Sequence, residues 1–140
     1  SEPQSGLRTA GDFLIMAGTT PLVAQKAYAT RDAADAYLKD AIDKDLATLD
    51  ANDLLYQVDA SRNYDPSANL GAITAPVMWV NSADDFINPP ELGIAEKMAP
   101  QIKRGRYVLI PTSDQTHGHG THTWAAVWKD RLEELLKESE

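Results

Sequence analysis

Two apolar runs of strand length limit what this chain can become: APVMWVNS (75–82) and GRYVLIPTS (105–113). Neither alternates apolar with polar residues, the pattern expected of strands buried on both faces of a parallel sheet. Between them, ADDFINPPELGIAEKMAPQI contains Asn88, then Pro89 and Pro90, then Glu91 three residues after the asparagine. That arrangement predicts a capping box and a proline-set helix start. A second helix, from about Thr121, puts Trp124, Val127, Trp128, Leu132, Leu135 and Leu136 on one face. The order strand, loop, helix, strand, loop, helix is that of an α/β fold with right-handed crossovers. Yet two parallel strands cannot satisfy their own edges, and sheets generally have several more. The chain therefore reads as the C-terminal part of a larger fold. Its remaining strands are expected on another polypeptide or on a segment removed from it, and an open edge favours strand addition or homo-oligomers.

The first sixty residues are of another kind. Alanine, leucine and charged residues recur and β-branched runs are scarce, which predicts three or four helices. One covers GLRTAGDFLIMAG and stops at Gly18; a second opens at Pro21 after Thr20. Thr30 is placed to cap a third, whose apolar stripe is Ala34, Leu38, Ala41, Ile42 and Leu49, and Asp50 to cap ANDLLYQVDAS. The expected division is a helical segment, 1–62, and an α/β segment, 63–140. Trp79, Trp124 and Trp128 read as core, and the acids of the third helix as a solvated face.

Composition excludes several functions. The 140 residues carry 13 basic and 21 acidic side chains, a net charge of -8, which disfavours nucleic acid and anionic membranes as partners. Cysteine is absent, so disulfides, thiolate metal sites and cysteine nucleophiles are ruled out while the compartment stays open. FLIMAG is too short to span a bilayer, and SEPQSG has no targeting character, so no address is expected in this chain.

Chemistry gathers at the ends of the two strands, where functional groups of open α/β sheets sit. Asp84 and Asp85 follow the first; His117, His119 and His122, all the histidines present, follow the second in TSDQTHGHGTHTW. One reading is a metal site, since His-x-His-x-x-His offers three imidazoles to one ion. It is similar to the pattern of metallo-β-lactamase-like hydrolases, but Thr121 stands where that pattern has an aspartate, and no physiological metal is expected. The other reading is a catalytic base. An acid after one strand and a histidine after the next bring a carboxylate to an imidazole Nδ1, orienting the ring to accept a proton. Acid before histidine is also the chain order of the α/β-hydrolase triad.

Specific segments carry that likeness further. APVMWVNSADDFINPPE resembles the acid-bearing segment of α/β-hydrolase-fold proteins, in particular the homoserine O-acetyltransferase-like branch, where an aspartate, three residues and a proline follow the strand. GHGTHTWAAVWKDRL resembles that family's Gly-His step into the last helix, and LDANDLLYQVDASRNYD its return from the helical insertion. The resemblance implies Asp85 as the catalytic acid and His119 as the base, with Asp84 and His122 as substitutes. It further implies a helical cap for the first segment, beneath which Tyr28, Tyr37 and Tyr56 either line an acyl pocket or, the preferred reading, pack as core. Without the family, Asp85 reads as a carboxylate at the end of a helix beginning at Pro89, Asp84 as a solvated loop acid, His117 as exposed, and His122 as a helix-start residue bonding the loop.

One departure is large: no Gly-x-Ser-x-Gly elbow occurs in the chain, so alone it is expected to be inactive. The resemblance implies an N-terminal half carrying the nucleophile serine, a small acyl ester or thioester as substrate, no cofactor, and hydrolysis or acyl transfer as the reaction. Against it stand an inactive structural or interaction fragment and a His-cluster metal-binding protein.

Overall fold

The computed structural model describes residues 3–139, which form two compact units, one reaching Tyr64 and the other starting at Asp65. The first is helical: α1 (Gln4–Gly18), α2 (Pro21–Ala27), α3 (Arg31–Thr48) and α4 (Ala51–Ser61). Its boundaries follow local chemistry. Thr30 accepts the Ala33 N–H at 3.2 Å, and Asp50 accepts the N–H groups of Asn52 and Asp53 at 2.8 and 3.1 Å, so orphan donors of α3 and α4 are met by side chains. Pro21, at the first position of α2, has no N–H to leave unpaired. Helices α1 and α3 pack together, burying Leu7 and Ala17 on one and Ile42 on the other. Tyr28 and Tyr37 stack at 4.1 Å and, with Ile15, Met16 and Leu38, line an apolar cavity of about 650 Å³. Tyr56 departs from the expectation of core packing: it is 72% exposed, because α4 buries none of its residues.

The second unit is a mixed helix and strand arrangement around a parallel pair, β1 (Val77–Ser82) and β2 (Gly105–Ile110), in register from Val77 opposite Gly105 to Ser82 opposite Ile110. The crossover contains a 3-10 turn at Pro90–Leu92, α5 (Ile94–Met98) and a second 3-10 turn at Ala99–Gln101. Ala99 and Ile102 are its buried core residues. Helix α6 (Ala125–Ser139) lies against β1 and is tied to β2 by Arg106, whose Nη1 meets Glu134 and Glu138 at 3.2 and 2.8 Å. Among the described residues no helix is long and apolar enough to cross a membrane.

Four expectations are corrected here. The capping box does not form: the Asn88 N–H is taken by Asp85, Pro89 is extended, and Gly93, at φ 65°, interrupts the chain before α5. The strands are not buried on both faces, since Trp79 and Leu109 remain 38% and 39% exposed. Trp124 is half exposed rather than core. Helix α6 begins at Ala125, not Thr121, because Gly118–Thr123 forms a 3-10 turn after Gly118 enters the left-handed region at φ 57°.

Among the described residues no strand pairs with the edge of β1 away from β2. Val77 and Ala83 donate to Arg104 and Ile110 at 3.0 and 2.8 Å, which fixes the alternation of a parallel ladder and turns the peptide groups of Met78, Val80 and Ser82 to the other side. There, among the described residues, only the Ser82 N–H finds a side-chain acceptor, Asn81 Oδ1 at 2.8 Å.

Candidate active site

Asp85 leaves β1 at a turn that fits its own carboxylate. Oδ1 accepts the N–H groups of Ile87 and Asn88 at 2.8 and 2.9 Å, while Oδ2 lies 3.1 Å from His119 Nδ1. The residue is buried. No helix starts at Pro89, so two loop amides, rather than a helix dipole, meet its charge. Burial pushes the carboxyl pKa up, but the Asn88 N–H, the His119 ring and the Ile87 N–H outweigh it and hold it below the usual carboxylate value. Because the folded value is depressed, the unfolded chain takes up this proton first as pH falls. Asp85 therefore adds stability that is fully present above about pH 3.9 and is lost as pH drops through the folded value. Urea midpoints of wild type and Asp85→Asn are expected to converge below that pH; a gap that stays constant to the acid limit contradicts the assignment.

His119 reaches Asp85 from the 3-10 turn after β2. Gly118 turns the backbone through its positive φ so that the next side chain faces the end of β1. In the neutral ring this pairing favours the Nδ1–H tautomer, because the carboxylate at 3.1 Å can only accept, whereas the Asn88 Nδ2, itself a donor that would need a bare Nδ1, stands farther off at 3.4 Å. Nε2 is then the acceptor nitrogen, without a hydrogen-bond partner among the described residues. The ring lines a cleft of about 390 Å³ whose walls include Trp79, Asn81, Ile110, Thr121 and Trp128.

The other two histidines go elsewhere. His117 is half-buried rather than exposed, its ring stacked on Trp124 at 3.9 Å. His122 Nδ1 is bonded to the His119 carbonyl oxygen, and its own carbonyl accepts the Trp128 indole N–H at 3.0 Å, so it supports the loop. Among the described residues no three His, Asp or Glu side chains converge as a metal ligand set.

Asp84 is not a solvated loop acid. The Ser82 hydroxyl donates to Oδ1, and Thr116 Oγ1 lies 2.9 Å from Oδ2. Thr116 is fully buried. Nothing in the sequence singled out Ser82 and Thr116, and Asn88 stood out only as a helix cap. Their only signal is that they are small polar residues at the ends of apolar runs, a property shared with most loop residues. Asn81 also escaped it: its amide donates to the Asn88 carbonyl at 2.7 Å, pinning the loop that shapes the Asp85 turn.

No family model, curated protein or solved structure matches this chain.

Proposed function

We propose that the chain supplies the acid and base of a Ser-His-Asp triad in an acyl-transfer enzyme of the α/β-hydrolase fold. On this reading the residues from Asp65 onward belong to the C-terminal part of the catalytic core and the helical unit is its cap, while the nucleophile lies outside these 140 residues, on a separate chain or on a segment removed from this one. The observation that carries the reading is the Asp85–His119 pair: a buried carboxylate on Nδ1 and an unpaired Nε2 in a cleft at the carboxyl ends of two parallel strands.

The chemistry follows from the two nitrogens. Nε2 takes the proton of the attacking serine hydroxyl while Asp85 stabilises the resulting imidazolium through Nδ1–H. The tetrahedral intermediate then collapses, Nε2 returning the proton to the departing alcohol or thiol. Water or a second hydroxyl, activated by the same nitrogen, releases the acyl group. Ser82 lines the cleft, but it is buried and its hydroxyl is bound to Asp84, so it does not serve as the nucleophile. The open edge of β1 supports the partner half, because strand addition there pairs the outward peptide groups of Met78 and Val80.

Native mass spectrometry of the protein isolated from its source tests this directly. The expected result is a one-to-one complex with a polypeptide containing a Gly-x-Ser-x-Gly segment, whose serine reacts with a fluorophosphonate only within the complex. A homo-oligomer that leaves the probe unreacted overturns the proposal in favour of an interaction fragment.

A further inference from the structure

We infer that Asp84 is a positioning residue: through Thr116 it latches the histidine loop to the end of β1, and so sets His119 against Asp85. The inference rests on the reading of that pair as acid and base, but its geometry is independent of it. Asp84 and Asp85 are sequence neighbours with divided tasks, one holding the ring of His119 and the other the segment that leads to it.

The bonds form a closed circuit. Ser82, the last residue of β1, fixes Asp84 Oδ1 through its hydroxyl. Oδ2 faces Thr116 Oγ1 at 2.9 Å. That hydroxyl also accepts the Ser113 N–H at 2.9 Å and lies 3.0 Å from the Ser113 carbonyl oxygen. It has one proton to give, and a carboxylate is the stronger acceptor, so the proton goes to Asp84. Three residues later His119 reaches back 3.1 Å to Asp85, and one peptide bond returns to Asp84. Between these points the His117 N–H is held by Thr121 Oγ1 at 2.8 Å. Without the Asp84 link, the Ser113–Thr116 turn still closes on itself, but its side-chain tie to β1 is gone.

Two details favour a latch over incidental packing. Thr116 is 0% exposed, and a hydroxyl so enclosed needs a partner that water cannot replace. Asp84 has no basic side chain paired with it among the described residues, so the two hydroxyls are its side-chain donors.

The test uses the 140-residue chain itself, reading amide exchange in the histidine loop and the imidazole nitrogen shifts of His119. Asp84→Ala and Thr116→Val are each expected to speed exchange at the His117 amide, which Thr121 holds, roughly tenfold or more. Both should also erase the Nδ1–H signature of His119, while Thr116→Ser keeps wild-type behaviour in both readouts. Wild-type exchange in Thr116→Val overturns the latch, as does a loosened loop in which the His119 tautomer is unchanged. Should Asp84→Ala fail to fold, the Thr116 pair decides alone. If wild-type His119 shows no preference for Nδ1–H, the acid–base reading fails, and the exchange rates still show whether Asp84 holds the loop.

Discussion

On the proposed triad, replacing His119 by alanine is expected to lower acyl turnover of the assembled enzyme roughly ten-thousand-fold or more and to leave folding nearly intact. The size of the effect reflects the ring's role in that proposal, taking the serine proton at one nitrogen while a buried charge holds the other. Folding is spared because a third of the side chain is solvent-exposed. Asp85→Asn gives a loss of similar size for a different reason. The new amide oxygen still accepts the N–H groups of Ile87 and Asn88, which turns its NH₂ toward His119 Nδ1. The ring answers by carrying its proton on Nε2, the tautomer unable to take a proton from serine. Steady-state turnover of a p-nitrophenyl ester, with circular dichroism as the folding control, separates the outcomes. Wild-type rates in either variant remove that residue from the mechanism.

The largest effect on stability is expected at Gly105, far from the chemistry. A Cβ there falls 2.3 Å from the Ala99 carbonyl oxygen and 2.6 Å from Ile102 Cβ, separations that real side chains do not adopt. Nor is the obstruction a flexible side-chain tip. It consists of backbone and a branch point within the buried turn that delivers the chain to β2, where the Gly105 N–H is itself bonded to Ile102 at 2.9 Å. Gly105→Ala must push the start of β2 away from that turn and out of register with Val77. The expected cost is about 3 kcal/mol, seen as a lower urea midpoint with little change in slope. A loss under about 0.5 kcal/mol, the range of ordinary surface substitutions, shows that the turn relaxes instead.

These two positions illustrate what the sequence made legible. The strands could be read because continuous apolar runs bounded by proline and glycine have few other structures to adopt, and the caps Thr30 and Asp50 because their partners lie within three residues. The nearness of Asp85 to His119 followed from strand order, which puts the loops after adjacent parallel strands side by side. What failed involved competition or distance. Asn88 looked like a helix cap, but Asp85, three residues earlier, takes its N–H first. His117 finds Trp124 by a fold of the loop that no short window describes. Asp84 meets Thr116 across 32 positions, and nothing local marks either residue for the other. Gly105 looked like the ordinary start of a strand, and only the returning turn shows why a side chain is not tolerated there.

The turn at Asp85 has a consequence for the conditions in which such a site keeps its shape. Its negative charge is met on one oxygen by two peptide N–H groups and, apart from His119, pairs with no basic side chain among the described residues. Dissolved ions weaken attraction between exposed charges over a distance of roughly 8 Å at physiological ionic strength. They have little purchase on short bonds from main-chain dipoles to a buried oxygen. The aim of the carboxylate is therefore written into the backbone path, and it persists in brines that would dissolve the surface pairs of α3, Lys39 with Asp43 and Lys44 with Asp40, each at 2.6 Å.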